Sequence, residues 1–449
     1  MAKTHKQFVC QNCGATSSKW GGKCMQCGAW DSLVESVAPT TMTGNKIGSL
    51  PSIENVQTLA HIEPGKTPRM TTNSGEVDTV LGGGIVPGSL ILLAGDPGIG
   101  KSTLVLQLAA DVSAGQDKKV LYVSGEESAG QIKLRAERIK GLSETFDFLA
   151  TTNLDQVLAQ TFSTNYDLII VDSIQTMASE SVASAAGTVS QVTNGANALM
   201  QAAKSTNTAF VLIGHVTKEG SLAGPRLLEH LVDTVLHLEG EKFGAVKFLR
   251  SVKNRFGSTN EVGVLEMTDT GLLPLKNPSG MLLEERSDSP GSVVFATMEG
   301  TRPLLVEVQA LVSPSVFGYP KRAAVGVDLN RLGLLCAVMT KRGGVNLSAS
   351  DVYVNIVGGL KISEPALDLA IILAIASAYK NAIIDSNTVV FGEVGLSGEI
   401  RSVNSSERRL KEAQKLGFGN GIVPPSVKGP NFKSPKSISE AIALISKHK

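Results

Sequence analysis

The sequence predicts an α/β protein, two sheet-and-helix domains preceded by a small cysteine-knuckle module. Three observations predict it. Four of the five cysteines fall within eighteen residues, at Cys10, Cys13, Cys24 and Cys27. From about Thr71 to Leu275, β-branched apolar runs alternate with helical patterns, as in a parallel sheet flanked by helices. The run KNPSGMLLEERSDSPGS at 276–292 then interrupts the alternation with Pro, Gly and Ser, and the alternation resumes to Lys449. The expected parts are a cysteine module at 1–30, a linker at 31–70, a first domain at 71–275 and a second at 286–449 with its core at about 351–449.

The cysteines come as two Cys-x2-Cys pairs separated by ten residues. Each pair forms a knuckle that sets two thiolates on one metal, and two knuckles complete a tetrahedron suited to zinc. Gly14 and Gly28 follow the second cysteine of each pair, where the turn favours glycine. Four protein ligands leave no open coordination position, so the zinc is expected to be structural and to supply folding energy. In a reducing compartment the cluster reads as metal binding rather than disulfides; redox chemistry at one CxxC and four unrelated buried cysteines are the alternatives. The segment that follows, to residue 70, is rich in Ser, Thr, Pro and Gly without periodicity and reads as linker.

The first domain opens with the strand SLILLA, then Gly95-Asp96-Pro97-Gly98-Ile99-Gly100-Lys101-Ser102-Thr103, then the helical run STLVLQLAADV. This is GxxxxGK[ST] between a strand and a helix. Glycines let backbone N–H groups converge on phosphate, and the helix N-terminus adds partial positive charge. Lys101 is expected on the β and γ phosphates of ATP and the Ser102 hydroxyl on Mg2+. Leu168–Asp172 is an apolar run ending in a carboxylate, which assigns Asp172 to the magnesium, with simple capping as the alternative. Val120–Ser124 runs into Gly125, Glu126 and Glu127, a position for a general base that polarises water. Glu126 is the first choice and Glu127 the second; a solvated acidic turn is the bland reading.

Phe210–Gly214 leads to His215, which is a structural histidine or, as the position's resemblance to RecA-like ATPases implies, a contact to the γ-phosphate. Thr217–Arg226 has the composition of a flexible basic loop, with Lys218 and Arg226. Residues 173–190 form a loop of small residues with no Lys or Arg. Val246–Val252 reads as a strand, followed by Lys253-Asn254-Arg255-Phe256-Gly257. Lys and Arg two apart at a strand end should project the same way as a cationic tip.

The glutamate pair after the second strand resembles the RecA superfamily. The KNRFG pentapeptide at 253–257, with the cysteine cluster and the P-loop, resembles the RadA family of bacterial recombination and repair proteins over essentially the whole chain. The resemblance implies a DNA-dependent ATPase, a DNA motor or helicase. It implies a homo-oligomeric, hexameric ring with ATP between subunits and DNA in the channel. Single-stranded DNA, branched recombination intermediates and a RecA-type recombinase are the implied partners, and branch migration and stalled-fork repair the implied roles. Lys253 and Arg255 then complete the neighbour's ATP site, or grip DNA phosphate, or are plain surface charge.

The second domain resembles the proteolytic domain of Lon over Asp351–Ala378, 392–401 and Arg408–Gly417. The serine-bearing segment corresponds to Glu364–Asp368, which puts Ala366 where the nucleophile would stand, and the lysine position falls near Glu407. A methyl group cannot attack a carbonyl. The expectation is therefore a Lon-like domain without proteolysis. A protein-switching ATPase of the KaiC type and an ATP-dependent protease are the alternatives to the motor.

The net charge of +1 conceals an asymmetry. Residues 1–320 hold 25 Lys+Arg and 31 Asp+Glu, whereas 321–449 hold 17 and 10. Residues 401–449 hold ten and three, a DNA-backbone platform or subunit interface if not a solvated face. Aromatic residues are only 4%, which disfavours base-stacking platforms. MAKTHKQFVC has no apolar signal-like stretch, and Leu369–Ala378 is far shorter than the roughly 20 residues a membrane span needs. No membrane association and a cytoplasmic location are expected.

Overall fold

A computed structural model describes residues 6–10, 15–17, 19–30, 32–37, 68–116, 118–139, 143–214, 227–240, 244–315 and 318–445. Cys13, most of the expected linker, His215, Lys218 and Arg226 lie outside the described residues. In the N-terminal module, β1 (Lys6–Cys10) pairs antiparallel with β2 (Thr16–Ser17) and β3 (Leu33–Val37). Its core is small: Cys10, Cys24 and Leu33, with Phe8 and Ala15 against them. That is too little apolar area to hold a fold alone, as the metal-knuckle reading expects.

The chain divides into two compact units. The first comprises Met1–Glu239, Phe248–Thr259 and Met267–Pro274; the second comprises Gly240–Lys247, Asn260–Glu266 and Leu275–Lys449. After α1 (Gly75–Leu81) the elements alternate: β4 (Leu90–Gly95), α2 (Lys101–Gln116), β5 (Val120–Ser124), α3 (Ala129–Ile139), β6 (Phe146–Ala150), α4 (Leu154–Ser163), β7 (Leu168–Asp172), α5 (Val189–Thr206), β8 (Ala209–Ile213), α6 (Leu227–Leu231) and β9 (Thr234–Glu239). Next come β10 (Val246–Asn254), β11 (Val262–Thr268) and β12 (Gly271–Pro274). The sheet order is β12-β11-β10-β9-β4-β8-β7-β5-β6, parallel from β9 through β6, with β10 antiparallel to β9. Strands β4, β5, β7 and β8 are buried at every position, which is why they read as continuous apolar runs rather than alternating ones. The carboxyl ends of β4, β5 and β7 are the ligand-binding edge of such a sheet.

The main segment of the second unit begins with α7 (Pro278–Leu283). Its elements are β13 (Ser292–Glu299), β14 (Arg302–Pro314), β15 (Arg322–Val325), α8 (Leu329–Arg342), β16 (Ser350–Ile356), α9 (Asp368–Lys380), β17 (Thr388–Val390), β18 (Glu393–Val394), β19 (Ile400–Arg401), α10 (Ser406–Lys415), β20 (Asn420–Ile422), β21 (Phe432–Lys433) and α11 (Ile438–Ala443). Seven strands form a mixed sheet in the order β15-β16-β14-β13-β17-β20-β21. The most apolar stretch of the sequence is α9, buried from Asp368 through Ser377 as the central core helix. Among the described residues no helix is long and apolar enough to cross a membrane.

Candidate nucleotide site

The loop between β4 and α2 is shaped by glycine. Gly95 has φ of 151°, and a Cβ there would stand 2.5 Å from the Leu238 carbonyl of the adjacent strand. Gly98 adopts φ of 80°, a left-handed conformation that side chains resist. Lys101 is buried, and its ammonium donates to the carbonyls of Gly95 (2.8 Å) and Asp96 (2.9 Å). Burial lowers its pKa, while Asp172, Asp96 and Glu126 oppose that shift. The loop thus presents one desolvated cation within an acidic surround, a receptor for a polyphosphate that brings its own magnesium.

Asp172 ends β7, buried, with its Oδ2 accepting from the Tyr122 hydroxyl at 2.7 Å. Burial pushes its carboxyl up; the Tyr122 and Ser102 hydroxyls pull it back, and the charges of Glu126 and Glu127 add to the rise. A serine hydroxyl beside a carboxylate gives hard oxygen donors, the kind magnesium takes while keeping several waters. Ser102 and Asp172 therefore fit the ion.

The two glutamates part company. Glu126 is exposed, and its Oε1 accepts from the Ser173 hydroxyl at 2.8 Å. Glu127 is half-buried and pairs with Arg135 of α3 at 2.6 Å, with its backbone N–H on Ser124 Oγ. Beside Thr103, a cavity of about 430 Å³ is lined by Arg135, Arg138 and Ile139 and by the turn from Met267 to Gly271. Gln107 fixes that turn to α2 through both the N–H and the carbonyl of Leu272, each at 3.0 Å. The small-residue loop after Asp172 is held as well: Gln191 donates to the carbonyls of Ser179, Val182 and Ser184.

The pentapeptide departs from the expected cationic tip. The register of β10 on β9 shifts between Ser251 and Lys253, so simple strand alternation does not apply there. Lys253 donates to the carbonyls of Glu229 (2.6 Å), His230 (3.3 Å) and Val232 (2.8 Å), at the end of α6. Burial, then the Arg255 charge, lowers its pKa. Arg255 pairs with Asp233 at 3.0 Å. Asn254 reaches the carbonyls of Val80 and Leu81, and Arg69 donates to the Phe256 carbonyl. Asn254 lies beside Thr234, which lies beside Ile91, whereas Gly95 lies beside Leu238. The pentapeptide is therefore at the opposite end of β4 from its own P-loop, roughly 13 Å away along the strand at about 3.3 Å per residue.

In the N-terminal module, the sulfurs of Cys10, Cys24 and Cys27 lie within 4.8 Å of one another, with Cys10 to Cys27 at 3.6 Å. Two thiolates on a tetrahedral zinc with bonds of about 2.3 Å stand about 3.8 Å apart. The donor set fits zinc.

In the second unit Ala366 is buried, and Ser363 is exposed. Glu407 is exposed on α10; the region is entered instead by Arg409, buried and bound to Glu364 at 2.5 Å, and by Arg331, paired with Asp368. Arg401 is likewise committed to Glu399 and Glu393. The basic face is consequently smaller than a charge count suggests. On α10 it is Arg408, Lys411 and Lys415, spaced to share the side opposite buried Leu410 and Ala413, and Lys428, Lys433 and Lys436 are also exposed.

Sequence reasoning missed Tyr122, Ser173, Arg135 and Arg409. A tyrosine inside an aliphatic strand was the one available signal, because a buried hydroxyl needs a partner.

Comparison with known proteins agrees with this layout. A model described as a rubredoxin metal binding domain matches residues 8–35, one described as an AAA domain matches 71–221, and one described as subunit ChlI of Mg-chelatase matches 335–427. DNA repair protein RadA of Bacillus subtilis is 49% identical over 428 residues, covering 94% of this chain and 93% of that protein. The proteins of the same name from Listeria monocytogenes and Pseudomonas aeruginosa are 48% and 47% identical, covering 97% and 94% of this chain and 95% and 94% of their own. With its N-terminal zinc ribbon, RecA-like ATPase core and C-terminal Lon-like domain, the chain belongs to the RadA family of DNA repair proteins.

Proposed function

We propose that the protein is a DNA-dependent ATPase working as a homo-oligomeric, hexameric ring, in which each ATP is held by one protomer's P-loop and completed by Arg255 of the next, with Lys253 bracing the turn beside it. The observation that carries this reading is the placement of Arg255. Arg255 follows β10 at the end of the parallel strands opposite its own P-loop, so the phosphate it serves belongs to another molecule, and a neighbouring protomer's ATP is favoured over DNA. Within a protomer, residues 95–103 cradle the phosphates of ATP, and the cavity beside Thr103 takes the nucleoside. Ser102 and Asp172 hold Mg2+. Glu126 is preferred over Glu127 as the base, because Glu127 is half-buried in an ion pair with Arg135 whereas Glu126 is exposed and carries the Ser173 hydroxyl on one carboxylate oxygen. Arginine suits the trans role: its planar fork matches charge spread over equatorial phosphate oxygens. His215, just beyond β8, remains a candidate γ-phosphate contact by its place in the sequence.

Single-stranded DNA passes the ring, with the exposed lysines and arginines around α10 contacting its backbone. The work done is branch migration of recombination intermediates and processing of stalled forks alongside a RecA-type recombinase, as membership of a DNA repair family favours. Use of the ring as a protein switch is disfavoured by the zinc ribbon and the basic C-terminal region. Proteolysis is disfavoured by Ala366. ATP turnover measured alone, with single-stranded DNA and with casein separates the three. Stimulation by DNA is the result expected. Casein cleavage, or turnover indifferent to DNA, would overturn the motor.

A further inference from the structure

Asp233 is a nearly buried carboxylate that the nucleotide chemistry above does not use. It lies in the turn from α6 to β9 and makes two reciprocal pairs of hydrogen bonds. Toward Leu90, its N–H donates to the Leu90 carbonyl (2.9 Å) and its Oδ2 accepts from the Leu90 N–H (3.1 Å). Toward Arg255, its carbonyl accepts from the Arg255 N–H (3.1 Å) and its Oδ1 accepts from a guanidinium nitrogen (3.0 Å). Leu90 is the first residue of β4, whose last residue opens the P-loop.

A capping role would not require this arrangement. The Leu90 N–H needs only a neutral acceptor, which Ser, Thr or Asn would supply. A carboxylate 7% exposed is costly to desolvate, and its charged partner here is an arginine side chain 51% exposed. Burying one charge to hold an exposed one has an evident use when the orientation of the exposed one matters. Asp233 takes a single donor of the planar guanidinium, at Nη1, and the remaining donors are left for a second, bidentate acceptor. Among the described residues Asp233 is the only side chain bonded to that guanidinium.

We infer that Asp233 is a positioning residue for phosphoryl transfer in trans: it aims Arg255 at the neighbouring protomer's ATP and couples that aim to β4, the strand of its own P-loop. This rests on the trans reading of Arg255 given above. Lys253 supports the same turn by binding the carbonyls of Glu229 and Val232, in the segment that leads into Asp233.

The test is subunit mixing with full-length protein. Asp233→Asn keeps an acceptor for Leu90 and removes the charge opposite Arg255. Displacing a reacting group by about 1 Å costs on the order of 100-fold in rate. The expected result is therefore a fall in DNA-stimulated kcat of roughly 10- to 100-fold, with KM for ATP nearly unchanged. Asp233→Glu, which restores the charge, should recover part of kcat. Mixed with Lys101→Ala protomers, which lack a working P-loop but offer an intact arginine, Asp233→Asn protomers should regain turnover, as should Arg255→Ala protomers. If the Arg255→Ala mixture recovers and the Asp233→Asn mixture does not, Asp233 acts only within its own protomer and the inference is overturned. It is overturned equally if Asp233→Asn alone turns over normally or fails to bind a nonhydrolysable ATP analogue. If neither mixture recovers, the trans reading of Arg255 falls and this inference falls with it.

Discussion

Replacing Tyr122 with Phe isolates one interaction in the ATP site. The Tyr122 ring is fully buried and stacks on Phe146 and Phe148 at 6.4 and 6.5 Å between centroids. Phenylalanine keeps that packing and deletes only the hydroxyl that donates to Asp172 at 2.7 Å. A hydrogen bond to a charged group contributes about 1.5–3 kcal/mol. Its loss removes one of the two hydroxyls that pull the Asp172 carboxyl down, so that carboxyl should rise further. Burial already holds that carboxyl above its ordinary value, and the lost hydrogen bond adds to the same rise. A protonated Asp172 cannot hold magnesium, and the acidic limb of the ATPase profile should follow. The assay is a magnesium titration of ATP turnover from pH 6 to pH 9. The variant should need more magnesium at the acid end and match the parent at the alkaline end. Superimposable profiles would show that Tyr122 does not tune Asp172, and a uniform loss at every pH would point to damaged packing instead.

Further expectations follow from other residues. Burial raises the Asp111 carboxyl on α2 from 3.8 to about 6, so between those values the folded chain keeps a proton that the unfolded chain has lost. Stability should thus fall as pH rises from about 4 to about 6 and stay low above it; Asp111→Asn should remove that slope and add about 1–3 kcal/mol at pH 8, read by denaturant unfolding. The purified chain should carry one zinc, and Cys24→Ala should release it and unfold the N-terminal module, seen by metal analysis and by proteolysis before residue 38, while ATP binding persists. Ala366→Ser should not create a peptidase, because the nearby cations are Arg409, already bound to Glu364, and Arg331, already paired with Asp368, and no lysine activates the new hydroxyl; cleavage of casein by that variant would contradict the reading.

What the sequence made legible was local. The P-loop, the strands ending at Ser124 and Asp172 and the core helix α9 each show in a continuous stretch, because buried parallel strands are unbroken apolar runs and the glycines sit within a few residues of the lysine they serve. What was hidden lies in pairings across long sequence separations. Tyr122 with Asp172, Arg255 with Asp233 and Arg409 with Glu364 are 50, 22 and 45 residues apart, and no periodicity announces them. Charge counting erred for the same reason: Arg409 counts as one of ten basic residues in the last 49, yet it is buried and neutralised. The pentapeptide shows both sides. Its composition marked it out, but the β-bulge at Ser251–Lys253 and the carbonyls that take up Lys253 emerge only with the sheet assembled.

The proposed ring rests on an ATP site that one polypeptide cannot finish alone. The most direct measurement is specific ATPase activity against protein concentration, with saturating nucleotide and single-stranded DNA, read beside particle mass on the same samples. Turnover per chain should climb as protomers give way to rings and level off once assembly is complete. A flat line, with full activity in samples that weigh as single chains, would contradict it.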